Sequence, residues 1–468
     1  MKKYSVLFGA AIMVMVLAAP AMAQFSSWGH MEFQTVWERS PDFNTGNAWA
    51  NGSGLAVDSD TAWRQIRQRY RFYMQYGDPK TVRAVLGFEA DSTDWGEAGT
   101  GTVTGGKMGV YRSDQVQLEV KHAYLDFMIP NTPLQVMAGV QGFAYGGRLW
   151  MNNDAPGIIL ATNFAPHKIQ AFWWRENDLN RNTYGVNDTY GLAWDMVQKQ
   201  FNVYAYGAYK NDLYTGNLAA VTNKFDDHPW WIGAGGGFRP GNFNFSGQFV
   251  YNGGTRKFTT PGLNDSDYSG FAAELSAKYQ IGPGMFFGLE GFYATGQDAD
   301  DSDKINIYTF PTGSESQSIF GNDRTVFMWM NASHIGYSHN RELNFAGFWY
   351  GRANFEYSPT AWVRMNLNYL YIGDTGKGTP GSYSATQRNP FTKATSGTKA
   401  VNTPVGSRTD KDEDFVGHEI NLITSLNIYK NFVYNIGIYY FIPGDVYDTP
   451  TKDADASYGI NTKLNYAF

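Results

Sequence analysis

The 468-residue sequence contains no cysteine. That single absence removes disulfide frameworks, thiolate metal sites, iron–sulfur clusters, c-type haem attachment and a lipoprotein anchor. Charge is also scarce, at 17% of residues against roughly 25% in globular chains. A soluble protein of this length would divide into about three domains with stretches rich in Ala, Leu, Glu and Lys, and these are missing. Beyond residue 23 no apolar run approaches the roughly 20 residues that a membrane helix needs, so a helical membrane protein is excluded. A β-barrel is not, because its strands need only about 9–11 residues with every second one apolar. The formal net charge of −6 gives no basic footprint for nucleic acid.

What the sequence does hold is glycine and aromatics: 52 Gly, 31 Tyr, 32 Phe and 14 Trp, residues of strands, turns and interfaces. Its start is a separate element. Lys2 and Lys3 precede an apolar run at 6–19 and the small-x-small site Ala21-Met22-Ala23 before Gln24. This is the pattern of a secretory signal peptide over 1–23, shorter than a spanning helix and set aside for fold reasoning. Residues 24–468 then form one unit.

From there the hydrophobic period is two. Tyr458, Ile460, Thr462, Leu464, Tyr466 and Phe468 alternate with Gly459, Asn461, Lys463, Asn465 and Ala467. Val363, Met365, Leu367 and Tyr369 alternate with Arg364, Asn366 and Asn368. A soluble sandwich alternates too, but loop lengths separate the two cases. Short connections near 77–79, 130–133, 165–167, 198–200, 240–242, 282–284, 358–360 and 430–431 take turns with long polar ones near 40–60, 92–114, 143–156, 177–187, 211–229, 253–267, 297–343, 372–414 and 443–456. Short turns on one rim and long loops on the other organise an outer-membrane barrel. A count of seventeen strands strands the turn at Gln198 on the wrong rim. A further strand at 157–164 restores the alternation and gives an all-β, transmembrane antiparallel barrel of eighteen strands, even in number as single-chain bacterial barrels require. Sixteen is the second choice.

The signal segment, this alternation and the terminal strand with Leu464, Tyr466 and Phe468 resemble a Gram-negative outer-membrane porin of the larger type. The resemblance implies an outer-membrane location, an ending read by the barrel assembly machinery, passage of small hydrophilic solutes and a homotrimer in outer-membrane lipid. It fixes no substrate.

Strand faces then nominate the lumen. In the second strand Arg67, Arg69 and Arg71 share one face with Gln65, Tyr73 and Gln75. Each arginine would cost roughly 2–4 kcal/mol near the middle of a bilayer, so this face looks inward. Arg83, Glu89 and Asp91 follow on the third strand and Arg364 on a later one. A three-residue turn at 77–79 sets Arg67 opposite Glu89, with uncharged Gly87 and Val85 opposite Arg69 and Arg71. These charges are either an arginine ladder that favours anions or wall-stiffening ion pairs, with Glu32 and Glu38 on the first strand as further neutralisers. A barrel of this size leaves an aqueous channel, and the third long loop is the candidate to narrow it: Gly allows an inward fold, Arg148 and Asp154 supply opposed charges, and Tyr145 and Trp150 supply bulk. The resemblance also implies an inward third loop. Trp37, Trp63, Trp173, Trp174, Trp231, Trp349 and Trp362 near strand ends read as interfacial girdles, the alternative being an aromatic track for sugars.

Enzymatic signatures are missing. The seven His form no H-E-x-x-H pair, no G-x-S-x-G occurs, and residues 101–107 fit G-x-x-x-x-G-K with Met108 where Ser or Thr must reach magnesium. Asp298, Asp300, Asp301 and Asp303 are either a calcium loop or a solvated acidic one. With strand periodicity from Met31, no plug domain fits before the barrel. The reading is a non-enzymatic channel for passive diffusion of small hydrophilic solutes and ions, without cofactor, metal or nucleic acid; a channel specific for sugars or small carboxylates on the same barrel is the alternative.

Overall fold

A computed structural model describes residues 25–39, 62–91, 95, 118–147, 149–177, 187–213, 225–258, 265–296, 303–309, 348–375, 415–444 and 455–468. The proposed signal peptide, Arg148 and Asp298, Asp300 and Asp301 lie outside these residues.

The chain crosses one wall back and forth: β1 (Phe25–Arg39), β2 (Ala62–Asp78), β3 (Val82–Asp91), β4 (Glu119–Met128), β5 (Leu134–Tyr145), β6 (Met151–Phe164), β7 (His167–Asn177), β8 (Asn187–Val197), β9 (Phe201–Leu213), β10 (Phe225–Phe238), β11 (Phe243–Phe258), β12 (Ser266–Gly282) and β13 (Met285–Ala294). A two-residue strand, β14 (Lys304–Ile305), adds parallel to the start of β12 and spans nothing. The wall continues through β15 (Phe348–Thr360), β16 (Val363–Asp374), β17 (Phe415–Tyr429), β18 (Phe432–Pro443) and β19 (Ser457–Ala467). Every long strand pairs antiparallel with the next, and β19 pairs back onto β1, giving a closed barrel of eighteen spanning strands. Closure removes the sheet edges that would otherwise need partners. Along the seam Gln34 Nε2 donates to Asn461 Oδ1 at 3.1 Å, and Lys463 Nζ meets Glu32 Oε1 at 3.0 Å.

The strand inserted at 157–164 to restore parity is the lower part of β6, turned into β7 by Ala165 and Pro166. The short turns share one rim with the barrel's C-terminal strand end. There Phe468 stacks near Tyr70, Phe72 and Tyr466, with ring centroids at 6.0, 6.5 and 6.0 Å, and its backbone exchanges two 3.0 Å hydrogen bonds with Gly29.

The two faces are inverted relative to a soluble protein. Leu275 is 70% exposed, and Leu192, Ile232, Leu289, Tyr369 and Ile438 are also exposed on the outer face. Gln34, Arg67, Glu89, Asp126, Glu274, Asn368 and Lys463 are buried within. Hydrocarbon is the solvent that stabilises such a wall. Successive small residues leave an apolar hollow of about 1030 Å³ on the outer side of β9–β16, over Gly236, Gly247, Gly291 and Gly351. Leu275→Arg is expected to cost about 2–4 kcal/mol of folding free energy in lipid vesicles, measured by urea titration, whereas Ser276→Arg, one residue on and facing inward, costs clearly less. Equal costs would contradict the assigned faces.

Candidate channel lumen

Alternation placed the arginine face correctly, but the β2–β3 register is four residues away from the expected one. Arg71 lies opposite Glu89 and Arg69 opposite Asp91, while Arg67 is paired across β1 with Gln34. The reason is the turn: β2 runs on through Gly77 to Asp78, whose Oδ1 accepts from the Lys80 amide at 2.9 Å and whose carbonyl accepts from the Thr81 amide at 3.0 Å. An Asp-Pro start favours such a tight turn. The expected Arg67–Glu89 opposition is therefore wrong, and so are the uncharged neighbours expected for Arg69 and Arg71.

Glu89 is the centre of the resulting cluster. It bonds Arg71 Nε, meets Arg69 Nη2 at 3.4 Å, and meets Lys121 Nζ at 3.2 Å. Lys121 is the extra residue of a bulge in β4, where the partners of β3 step from His122 to Val120. A bulge re-aims a side chain, and here Lys121 and its neighbour His122 both reach the lumen. Lower on the same wall Arg83 Nε donates to Asp126 Oδ2 at 2.8 Å and Arg83 Nη1 to Gln75 Oε1 at 2.7 Å. Arg364 sits on the inward face of β16 beside the short-turn rim, in line with Asn366 and Asn368. The side chains of Glu38 and Asp91 lie outside the described residues.

The expected third long loop is a β-hairpin instead. Tyr145 pairs with Met151, and Gly142 with Asp154, so only residues 146–150 form the connection. β4 pairs with β5 no higher than Val140, and β7 pairs with β6 no higher than Gly157. Above that level the hairpin leaves the wall. Gly139, with φ +135°, makes the departure, since a Cβ there would run into the Ala123 carbonyl. On one side Asp154 holds the hairpin to the wall, with Lys121 Nζ at 2.6 Å and His122 Nε2 at 2.8 Å. On the other, Trp150 is 0% exposed and stacks on Tyr206 at 4.8 Å, with Trp174 and Trp231 each at 5.9 Å. Gly147 comes against Tyr204 on β9 and Gln248 on β11.

No protein-family model matches this chain, and no curated protein does. Solved structures do match. The outer membrane protein OprD from Pseudomonas aeruginosa aligns over 94% of this chain and 93% of its own, with a TM-score of 0.51 at 12% identity. OccAB3 of Acinetobacter baumannii aligns over 95% and 99%, with a TM-score of 0.51 at 10% identity. The fold is that of an outer-membrane barrel protein. At such identity the likeness carries the fold and assigns no residue a role.

Within this outer-membrane fold two girdle assignments are overturned. Trp174 is 0% and Trp231 2% exposed, both on inward faces, opposite Gly157 and Asn252. They pack on Trp150 because that face is covered by the hairpin. Trp349 does stack outside on Tyr371 at 5.4 Å, and Trp362 is exposed at the short-turn rim; the side chain of Trp63 lies outside the described residues. A second inward segment escaped the sequence reading. Residues 307–308 lie against Gly270, where a side chain would collide with the Ile307 carbonyl, and Tyr308 donates its hydroxyl to the Leu149 carbonyl. Burial pushes the Tyr308 phenol up, keeping it a donor. Thr309 accepts from Trp231 Nε1 at 2.7 Å and donates from its amide to Asn252 Oδ1 at 3.1 Å. An aromatic core thus fills one side of the lumen. The other side, from β15 through β19 to β4, carries amides and charges: Asn354 to Asn366, Asn368 to Asn421 and Ser425 to Asn435 are hydrogen bonded in rows.

Proposed function

We propose that this chain is an outer-membrane porin of a Gram-negative bacterium, a water-filled channel through which small hydrophilic solutes and ions diffuse passively, without chemistry or coupled energy. The reading rests on one observation above all: a closed eighteen-strand wall with lipid-compatible side chains outside and a polar, charged strip inside, with a hairpin folded inward against one side of that interior. Width and lumen charge then select what passes. Arg67, Arg69, Arg71, Arg83, Glu89, Asp91 and Arg364 are the proposed pore wall; Tyr145, Arg148, Trp150 and Asp154 belong to the proposed constriction. Leu464, Tyr466 and Phe468 are the proposed signal to the barrel assembly machinery after removal of residues 1–23, and assembly as a homotrimer belongs to the same proposal.

A sugar track is disfavoured by the burial of Trp174 and Trp231, which leaves their ring faces no free area. A channel specific for small carboxylates is favoured by the Arg69, Arg71 and Lys121 group around Glu89. Liposome swelling with neutral sugars of graded size tests the general reading: a cutoff by size alone supports it, and strong preference among equal-sized solutes supports the specific channel. Reversal potentials in a salt gradient address the ladder. Arg69→Ala and Arg71→Ala are each expected to move them toward cations, and no movement in either would remove the arginines from selectivity.

A further inference from the structure

We propose that the cavity beneath the hairpin tip, on the short-turn side of the constriction, binds small dipolar ions: molecules with an ammonium group at one end and a carboxylate at the other. The proposal deepens the channel reading and rests on it. The cavity has a volume of about 630 Å³, within the range of small-molecule pockets. Its roof is Tyr145, Gly146 and Gly147, and its floor is the turn at Ala165 and Pro166. Lys168 on β7 and Asp195 on β8 line its wall.

These two are register partners, so their Cβ atoms stand about 4.5–5.5 Å apart on one face. Cross-strand lysine and aspartate so placed would ordinarily join. Here they do not: neither forms an ion pair or side-chain hydrogen bond among the described residues, in contrast to Lys121, Lys210, Lys278 and Lys463, which all do. The roof above them is unsatisfied too. The Tyr145 hydroxyl is buried without a hydrogen-bond partner among the described residues, at the roof of the same cavity. Buried polar groups are satisfied as a rule, and an exception asks for an occupant.

A cation and an anion on the wall of one hollow discriminate by charge pattern. An anion gains Lys168 but is repelled by Asp195, and a cation meets the reverse. A dipolar ion gains both, setting its carboxylate on Lys168 and its ammonium on Asp195. Ala144, Ala193 and Val197 offer apolar wall to the methylenes between the ends. The site sits past the hairpin for a solute arriving from the long-loop side.

Single-channel recording from the full-length chain, with 4-aminobutanoate, butanoate or butylammonium on the short-turn side, tests this. The three probes share a four-carbon skeleton and differ in their charged ends. Expected half-block by 4-aminobutanoate comes at a concentration at least about tenfold lower than for the other two, the value of one added charge-assisted hydrogen bond. Lys168→Glu and Asp195→Lys each abolish the difference, and the double exchange restores it because the ligand can bind reversed. Should the charge reversals prevent insertion, Lys168→Met and Asp195→Asn give the single-site losses. Open channels with equal block by all three probes overturn the site. So does a difference that survives both single substitutions, or one that the double exchange fails to restore in inserted channels. A chain that forms no channels at all overturns the underlying channel reading instead.

Discussion

Replacing residues 141–155 by an Asn-Gly turn is expected to raise single-channel conductance by about two- to fivefold, because a barrel of this strand number is an open aqueous tube unless something is folded into it. The cut is placed by the register. Val140 and Pro156 are the last wall-level pair of the hairpin, and a two-residue turn closes antiparallel strands at that separation. Everything removed lies off the wall, so strand pairing with β4 and β7 stays intact. The loss is the aromatic core: Trp150 leaves Tyr206, Phe172, Trp174 and Trp231 without their central partner. Thermal unfolding of the barrel in detergent should therefore fall while insertion persists. A milder change, Trp150→Ala, is expected to cost about 3–5 kcal/mol and to give noisy, intermediate conductance as the tip loosens. Unchanged conductance in both variants would remove the hairpin from the conducting path.

Glu89→Gln is the second large effect, of opposite sign to the arginine substitutions. Glu89 is the carboxylate shared by Arg69, Arg71 and Lys121. Its neutralisation leaves the cluster one unit more positive without changing shape. A unit charge about 6 Å from a passing ion is worth roughly 0.7 kcal/mol at the dielectric of water, a factor of about three for each ion. Chloride gains and potassium loses, so the chloride-to-potassium permeability ratio is expected to rise by about three- to tenfold, read from reversal potentials at low salt. High salt should erase much of it, since the Debye length shrinks to about 3 Å at 1 M. The same substitution removes one partner from a buried charge network, for which a stability loss of about 3–5 kcal/mol is typical. A lowered stability with no change in permeability would make Glu89 a wall element only.

The sequence carried the fold further than it carried the lumen, for identifiable reasons. Period-two alternation and loop parity required a strand at 157–164 although Gly157-Ile158-Ile159-Leu160 does not alternate, and β6 is there. The β2–β3 register differs from the expected one by four residues. Because side chains change faces every residue, an even slip exchanges partners but keeps faces, so Arg67, Arg69 and Arg71 share the expected face while their cross-strand partners differ. Trp174 and Trp231 lie near strand ends, and that position alone points to a girdle. Parity along β7 would have found Trp174, which shares its face with Gln170 and Glu176. Lys121 has no signature in the sequence, since a bulge is a fault in the alternation that assigns faces. The hairpin's departure from the wall depends on backbone at Gly139 and on packing against β9 and β10, neither of which a single strand's pattern encodes.

The seam between β1 and β19 has a consequence for how the protein is made. Gln34 and Asn461 are 427 residues apart, so their bond lies at the extreme of contact order, and pairings of that kind form late because loop closure must come first. Until then β1 presents an unpaired edge flanked by a greasy face, a template for addition of any free strand. Each chain therefore has an interval in which its first strand is both exposed and adhesive, and the length of that interval, rather than the stability of the finished wall, decides how much of it is lost to aggregation.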